Sequence, residues 1–158
     1  MTWLTQTTIG QFLSTMFISM VPIVELRGGL PYGIALGLDY PIALAAAIIG
    51  NMLPIPFIIF FIEKIFAFLR KHFPTMDSFI TKLENRGREK EETVKKYGML
   101  GLIILVAIPL PGTGAWTGAL VASLMNIKPK HAFPCIFIGV CIAAFIVSVV
   151  TYGVIKIV

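Results

Sequence analysis

The stretch Met20–Gly37, MVPIVELRGGLPYGIALG, decides how the chain is read. It is apolar at both ends, is broken in the middle by Pro22, Gly28, Gly29 and Pro31, and carries Glu25 and Arg27 inside the break. An acid and a base within an apolar segment are costly in a bilayer and persist mainly where they bind or move something. A second stretch, Ile108–Ala122, IPLPGTGAWTGALVA, has the same form without the charges. Paired interrupted segments in the two halves of a chain point to a transporter's binding site.

Composition agrees. The 158 residues are 57% hydrophobic and 13% charged, with a mean hydropathy of +0.89. That is the profile of an all-α integral membrane protein, and 1–158 is read as a single membrane domain. A net charge of +5 could suit nucleic acid, but eight of the thirteen Lys and Arg lie between Arg70 and Lys96, interleaved with acids. Such a mixture reads as a solvated face beside anionic lipid, so 70–97 is expected to be cytoplasmic, in a multi-pass inner-membrane protein that binds no nucleic acid. The N-terminus, MTWLTQTT, lacks a positive n-region, and no cleavable signal is expected. Cys135 and Cys141 fall on different sides of a helix, and His72 and His131 lack partners at ligand spacing. No metal, cofactor or catalytic residue is expected, and the chain is not read as an enzyme.

Two segments are long enough to cross roughly 30 Å of hydrocarbon: Pro41–Leu69, with a kink expected from Asn51, Pro54 and Pro56, and Ala132–Ile155. The interrupted segments do not fill a span comfortably. Thr8–Val24 followed by Leu30–Leu38, and Gly98–Ile108 followed by Ala115–Ile127, fit re-entrant hairpins that enter and leave on one side. Between them, Met76, Phe79, Ile80 and Leu83 follow helical spacing, and Glu84/Arg88, Glu91/Lys95 and Glu92/Lys96 are i,i+4 partners. This predicts an amphipathic surface helix over Thr75–Tyr97, with Gly87 as its weak point.

The halves align at a nearly constant offset. Pro22 falls on Pro109 and Asp39 on Asn126 at 87, Gly29 and Gly33 on Gly114 and Gly118 at 85, and Gly50 on Gly139 at 89. The reading is therefore repeat one at 8–70, a linker at 71–97 and repeat two at 98–158, each repeat a hairpin plus one transmembrane helix. A unit that crosses once leaves its successor upside down, which makes the repeat inverted. Charge favours this over four plain spans: Lys128 and Lys130 join Arg70–Lys96 inside, and only Lys156 lies outside. The row Gly29, Gly33, Gly37, echoed by Gly114, Gly118 and Ala122, suits close helix packing.

Glu25 and Arg27, two apart on a strand-like stretch, need not pair with each other. One reading has each neutralising a backbone group freed by the broken helix. The other starts from Pro31 near N1 of the second arm, with Gly28-Gly29 as the turn, and from Thr113 as an N-cap in the other hairpin. Both half-helix N-termini then point to the membrane centre and attract an anion. Arg27 adds a charged fork suited to phosphate, and Glu25 is placed to exchange a proton. The candidate substrate-binding residues are Glu25, Arg27, Gly28, Gly29, Pro111, Gly112, Thr113, Gly114 and Trp116, with Glu25 for proton coupling. Trp116 and Tyr32 flank the two breaks, as packing aromatics or as an apolar wall for a lipid tail or drug.

ELRGGLP at 25–31 and PLPGTGAWTG at 109–118 resemble the signatures of the small multidrug export protein family, over roughly residues 15 to 155. That family is similar, distantly, to the DedA superfamily. The resemblance implies two opposed re-entrant loops and movement of undecaprenyl phosphate or phospholipids, and the family's name implies drug export. Glu25 matches the acidic residue of the first loop. DedA proteins place essential arginines in the second loop, which here is uncharged, leaving Arg27 to serve from the first.

The expectation is a small transporter of an amphiphilic substrate, foremost a lipid phosphate such as undecaprenyl phosphate, with proton coupling through Glu25. The alternatives are a cationic multidrug exporter, and an ion channel or membrane scaffold. Membrane lipids are the expected partners, and so little surface around a polar site suggests a homodimer.

Overall fold

The computed structural model describes residues 7–110 and 112–155, the last four as backbone only. Pro111 and Lys156, both used in the sequence reading, lie outside the described residues. The chain is helical throughout, with no strand among the described residues. In order it forms α1 (Thr8–Met20), α2 (Glu25–Ala35), α3 (Tyr40–Met52), α4 (Ile55–His72), a 3-10 turn (Pro74–Met76), α5 (Asp77–Tyr97), α6 (Met99–Ala107), α7 (Ala115–Leu124) and α8 (Pro129–Ile155).

Local chemistry sets these boundaries. Thr7 caps α1 by accepting a hydrogen bond from the Gly10 N–H at 3.1 Å. Pro22 follows the end of α1, and Pro109 follows the end of α6. Between α3 and α4, Pro54 and Pro56 cannot donate to carbonyls four residues back, so the helix is interrupted at Leu53–Pro54. The two arms still form one apolar stretch, Tyr40–His72, of 33 residues, and Pro129–Thr151 is a second of 23. Both are long and apolar enough to cross a membrane. Their outward faces carry Phe57, Phe60, Phe61, Phe145 and Val149, all exposed. A surface of this kind is at home in lipid and not in water.

The remaining apolar helices are short. With 13, 11, 9 and 10 residues in α1, α2, α6 and α7, each is about 14–20 Å long at the usual helical rise. α1 and α2 run antiparallel: the Gln11 Nε2 donates to the Leu36 carbonyl at 2.7 Å, Thr15 faces Gly33, and Ser19 faces Gly29. Thr15 and Ser19 are fully buried because their hydroxyls bond back to the carbonyls of Gln11 and Thr15, each at 2.8 Å. The opposing glycines then let the backbones close on them.

In each half a glycine of the long segment packs on the first short helix: a Cβ on Gly50 would strike the Met16 backbone of α1, and one on Gly139 the Val106 side chain and, next, the Ile103 carbonyl of α6. Between the short helices, a Cβ on Gly33 would meet Thr15, and one on Gly118 would strike Val106. The halves also exchange partners: α4 packs on α7, and α8 on α2. At one end the Tyr40 hydroxyl donates to the Ser148 Oγ at 2.8 Å. At the other, Glu63 and Lys64 border the same cavity as Lys128 and Pro129. The two long segments are therefore antiparallel.

The helix over Asp77–Tyr97 is continuous, which corrects the expected weak point at Gly87. Ile80, Gly87 and Val94, at intervals of seven, form its buried edge, and Gly87 is where α5 meets Leu120 and Leu124 of α7. Of the expected side-chain pairs, Glu91 and Lys95 meet at 3.0 Å, while Glu84 is held by Arg70 at 2.9 Å.

Candidate functional site

The two broken segments meet. Glu25 opens α2 with φ at 49°, a left-handed conformation uncommon outside glycine. It is 5% exposed. Its Oε1 accepts from the backbone N–H of Trp116, in the first turn of α7, at 3.1 Å. Its Oε2 lies 3.7 Å from the Arg27 guanidinium. Gly114, with φ at 124°, is the residue before α7, and a Cβ there would sit 2.8 Å from the Glu25 carboxyl carbon and 2.7 Å from the Arg27 Nη2. Only glycine admits the carboxylate to the end of α7, where free N–H groups and the helix dipole favour an anion.

Arg27 reaches across to the opposite break. Its Nη1 donates to the Leu110 carbonyl and its Nη2 to the Thr113 carbonyl. The fork thus clamps the loop to α2 through two of its main-chain carbonyls. Thr113 closes the same loop from within: its Oγ1 lies 2.7 Å from the Ile108 carbonyl and 2.8 Å from that of Leu110, and accepts from the Leu110 N–H at 3.2 Å. The Thr117 hydroxyl donates to the Gly112 carbonyl at 3.2 Å. Trp116 completes the brace by donating its Nε1–H to the Met20 carbonyl, at the end of α1, at 3.1 Å.

Several local expectations are corrected here. Glu25 and Arg27 lie in the first turn of a helix, not on a strand-like stretch, and they do pair. Because α2 begins at Glu25, Pro31 is inside the helix instead of at N1. Gly28 and Gly29 are helical and form no turn; Gly28 faces Val24 and Gly29 faces Ser19. Gly114, not Thr113, holds the N-cap position of α7. Of the candidate residues, the structure gathers Glu25, Arg27, Gly112, Thr113, Gly114 and Trp116 around one junction, sets Gly29 against Ser19 of α1, and leaves Gly28 against Val24 at the start of its own helix. The reading missed Leu110 and Met20, whose backbone carbonyls carry contacts that no side-chain pattern announces.

At the junction stand two antiparallel apolar segments, short helices filling the space between them, and an ion pair sealing two proline-broken turns. These features define a helical membrane protein with a charged seam inside. Residues 25–146 match the family described as "Putative small multi-drug export protein", and the chain belongs to that family. The matched region opens at Glu25 and runs through both breaks into α8. No curated protein and no solved structure matches the chain.

Proposed function

We propose that the chain is a small transporter of an amphiphile, with the Glu25–Arg27 junction as its gate and a lipid phosphate as its substrate. The reading holds that α1/α2 and α6/α7 are re-entrant hairpins and that the halves form an inverted repeat. Short helix lengths, the Gln11–Leu36 contact and the packing of Gly50 on α1 and Gly139 on α6 support it. A multi-pass inner-membrane location, with α5 on the cytoplasmic side and a homodimer as the working unit, belongs to the same reading, as does the likeness to DedA proteins.

One observation carries the choice of substrate. The Glu25 carboxylate occupies a position made by an α7 backbone N–H and a guanidinium, the donors that would receive a phosphate. Glu25 is in effect an anion tethered to the protein, and a substrate phosphate takes its place on Trp116 N–H and Arg27. Protonation of Glu25 removes its charge and frees the same donors, which couples the exchange to a proton. The family description favours drug export in general; in the cationic-drug alternative Glu25 binds the cation, which must compete with Arg27 for the carboxylate.

Flux in proteoliposomes separates the two. With a fluorescent polyprenyl or acyl phosphate, Arg27→Ala is expected to abolish transport, because the phosphate loses its fork. With a cationic dye, the same variant should keep or increase flux. Dye transport that survives Arg27→Ala, with no phosphate-lipid flux in the wild type, overturns the lipid-phosphate reading. No flux of either substrate in the wild type overturns the transporter itself.

A further inference from the structure

A cavity of about 320 Å³ opens where the polar ends of the two long segments converge, far in sequence from the Glu25–Arg27 junction. It lies between α4 and the turn from α7 to α8, and its lining includes Ile59, Phe60, Glu63, Lys64, Asn126 and Lys128. The turn is held in place by Asn126, whose φ of 53° is left-handed. Lys64 stands 5.9 Å from the centre of the Phe61 ring. Among the described residues, Glu63, Lys64 and Lys128 form no ion pair with one another or with any other side chain. Three unpaired charges around one cavity, two positive and one negative, sit directly beside the exposed apolar ring of Phe60.

We infer that this cavity is a site for a phospholipid headgroup carrying both a phosphate and a primary ammonium. The phosphate sits between Lys64 and Lys128, where two ammonium groups offer charge-assisted hydrogen bonds. The ammonium of the lipid donates to Glu63 and to the Asn126 carboxamide. A choline headgroup has the same charges but no N–H to donate, so Glu63 discriminates against it. Ile59 and Phe60 receive the glycerol backbone and the first carbons of the acyl chains, with the rest of the chains along the lipid-facing side of α4. Placement of the site at the edge of the apolar stretch matches the depth of a headgroup, where Lys side chains extend toward the interface.

Native mass spectrometry of the full-length protein tests this. The protein is taken from mixed micelles holding equal amounts of phosphatidylethanolamine, phosphatidylcholine and phosphatidylglycerol. Phosphatidylethanolamine is expected to be retained over phosphatidylcholine by about fivefold or more, the worth of a charged hydrogen bond near an interface. Glu63→Gln should erase that preference and raise phosphatidylglycerol retention, and Lys64→Ala with Lys128→Ala should lower retention of phosphatidylethanolamine and phosphatidylglycerol alike. Lys90→Ala, on α5 and away from the cavity, should change nothing. The site is refuted if the wild type shows no headgroup preference, or if Glu63→Gln retains it. Retention of glycerophosphoethanolamine equal to that of the lipid, when it is added in the same amount, would overturn the lipid in favour of a soluble phosphate.

Discussion

The carboxylate of Glu25 accepts a hydrogen bond from the backbone N–H of Trp116, 91 residues away, at 3.1 Å. It is one of three polar ties between the breaks; the others are the Arg27 fork on Leu110 and Thr113, and the Trp116 indole on Met20. Each crosses between the halves, so the junction is a brace as well as a candidate gate. Its parts have separable consequences.

Glu25→Gln preserves shape and can still accept from Trp116, but loses the ion pair. For a largely buried pair, removing one charge leaves the other uncompensated, and a loss of about 2–4 kcal/mol is expected. Thermal unfolding in detergent should show a clear drop in Tm. An unchanged Tm would mean that Arg27 is satisfied by the two carbonyls alone.

Arg27→Lys keeps the charge and discards the fork. One ammonium cannot replace two diverging donors, so the 108–114 loop should loosen while the helices hold. Hydrogen exchange is the measurement: amides of Leu110 and Thr113 should exchange at least tenfold faster, with α3 and α8 unaffected. Uniform acceleration along the chain would point to global destabilisation instead.

Gly114→Ala places a methyl group against the Glu25 carboxyl and the Arg27 guanidinium while demanding a φ of 124°. Both penalties act together, and a cost of about 3 kcal/mol or more is expected. Gly112, also at positive φ but with open space around it, should cost only about 1–2 kcal/mol when replaced by Ala. Comparing the two variants by thermal unfolding separates the steric clash from backbone strain.

Gly50→Ala and Gly139→Ala should behave as a pair. Each directs its new methyl at the first short helix of its own half, onto the Met16 backbone in one and onto the Val106 side chain and the Ile103 carbonyl in the other. Neither a main chain nor a β-branched side chain yields easily, and each is expected to cost about 1–3 kcal/mol. A variant that is neutral at one position and damaging at the other would break the equivalence of the halves.

Much of the architecture was legible in the sequence because membrane chemistry is blunt. Apolar runs of sufficient length and prolines that stop them led to the two long segments and to the short helices on either side of each break. The finer geometry was not. Glu25 was read as lying on a strand-like stretch inside the break. Instead its contact with Trp116, in the other half, holds it in a left-handed conformation at the head of α2, and long-range contacts of that kind leave no local signature. Gly87 was read as a weak point, yet it serves close helix approach, and Gly29 proves to pack on Ser19 as its row suggested and to form no turn; composition alone cannot tell a glycine that bends from one that packs. The clamp on Leu110 was invisible for a simpler reason: its acceptor is a main-chain carbonyl, and every residue has one.

The approach of Gly87 to Leu120 and Leu124 has a mechanical consequence. α7 is held at its head by the Glu25 carboxylate and near its tail by α5, so releasing the head leaves the tail as a fulcrum. In the proposed transporter, ten residues of helix would then act as a stiff lever arm, and a swing of Trp116 would be passed as torque to the charged helix α5. A bulky side chain at position 87 would move the pivot without touching the junction. On that reading a contact made by α5 would set the stroke of the gate.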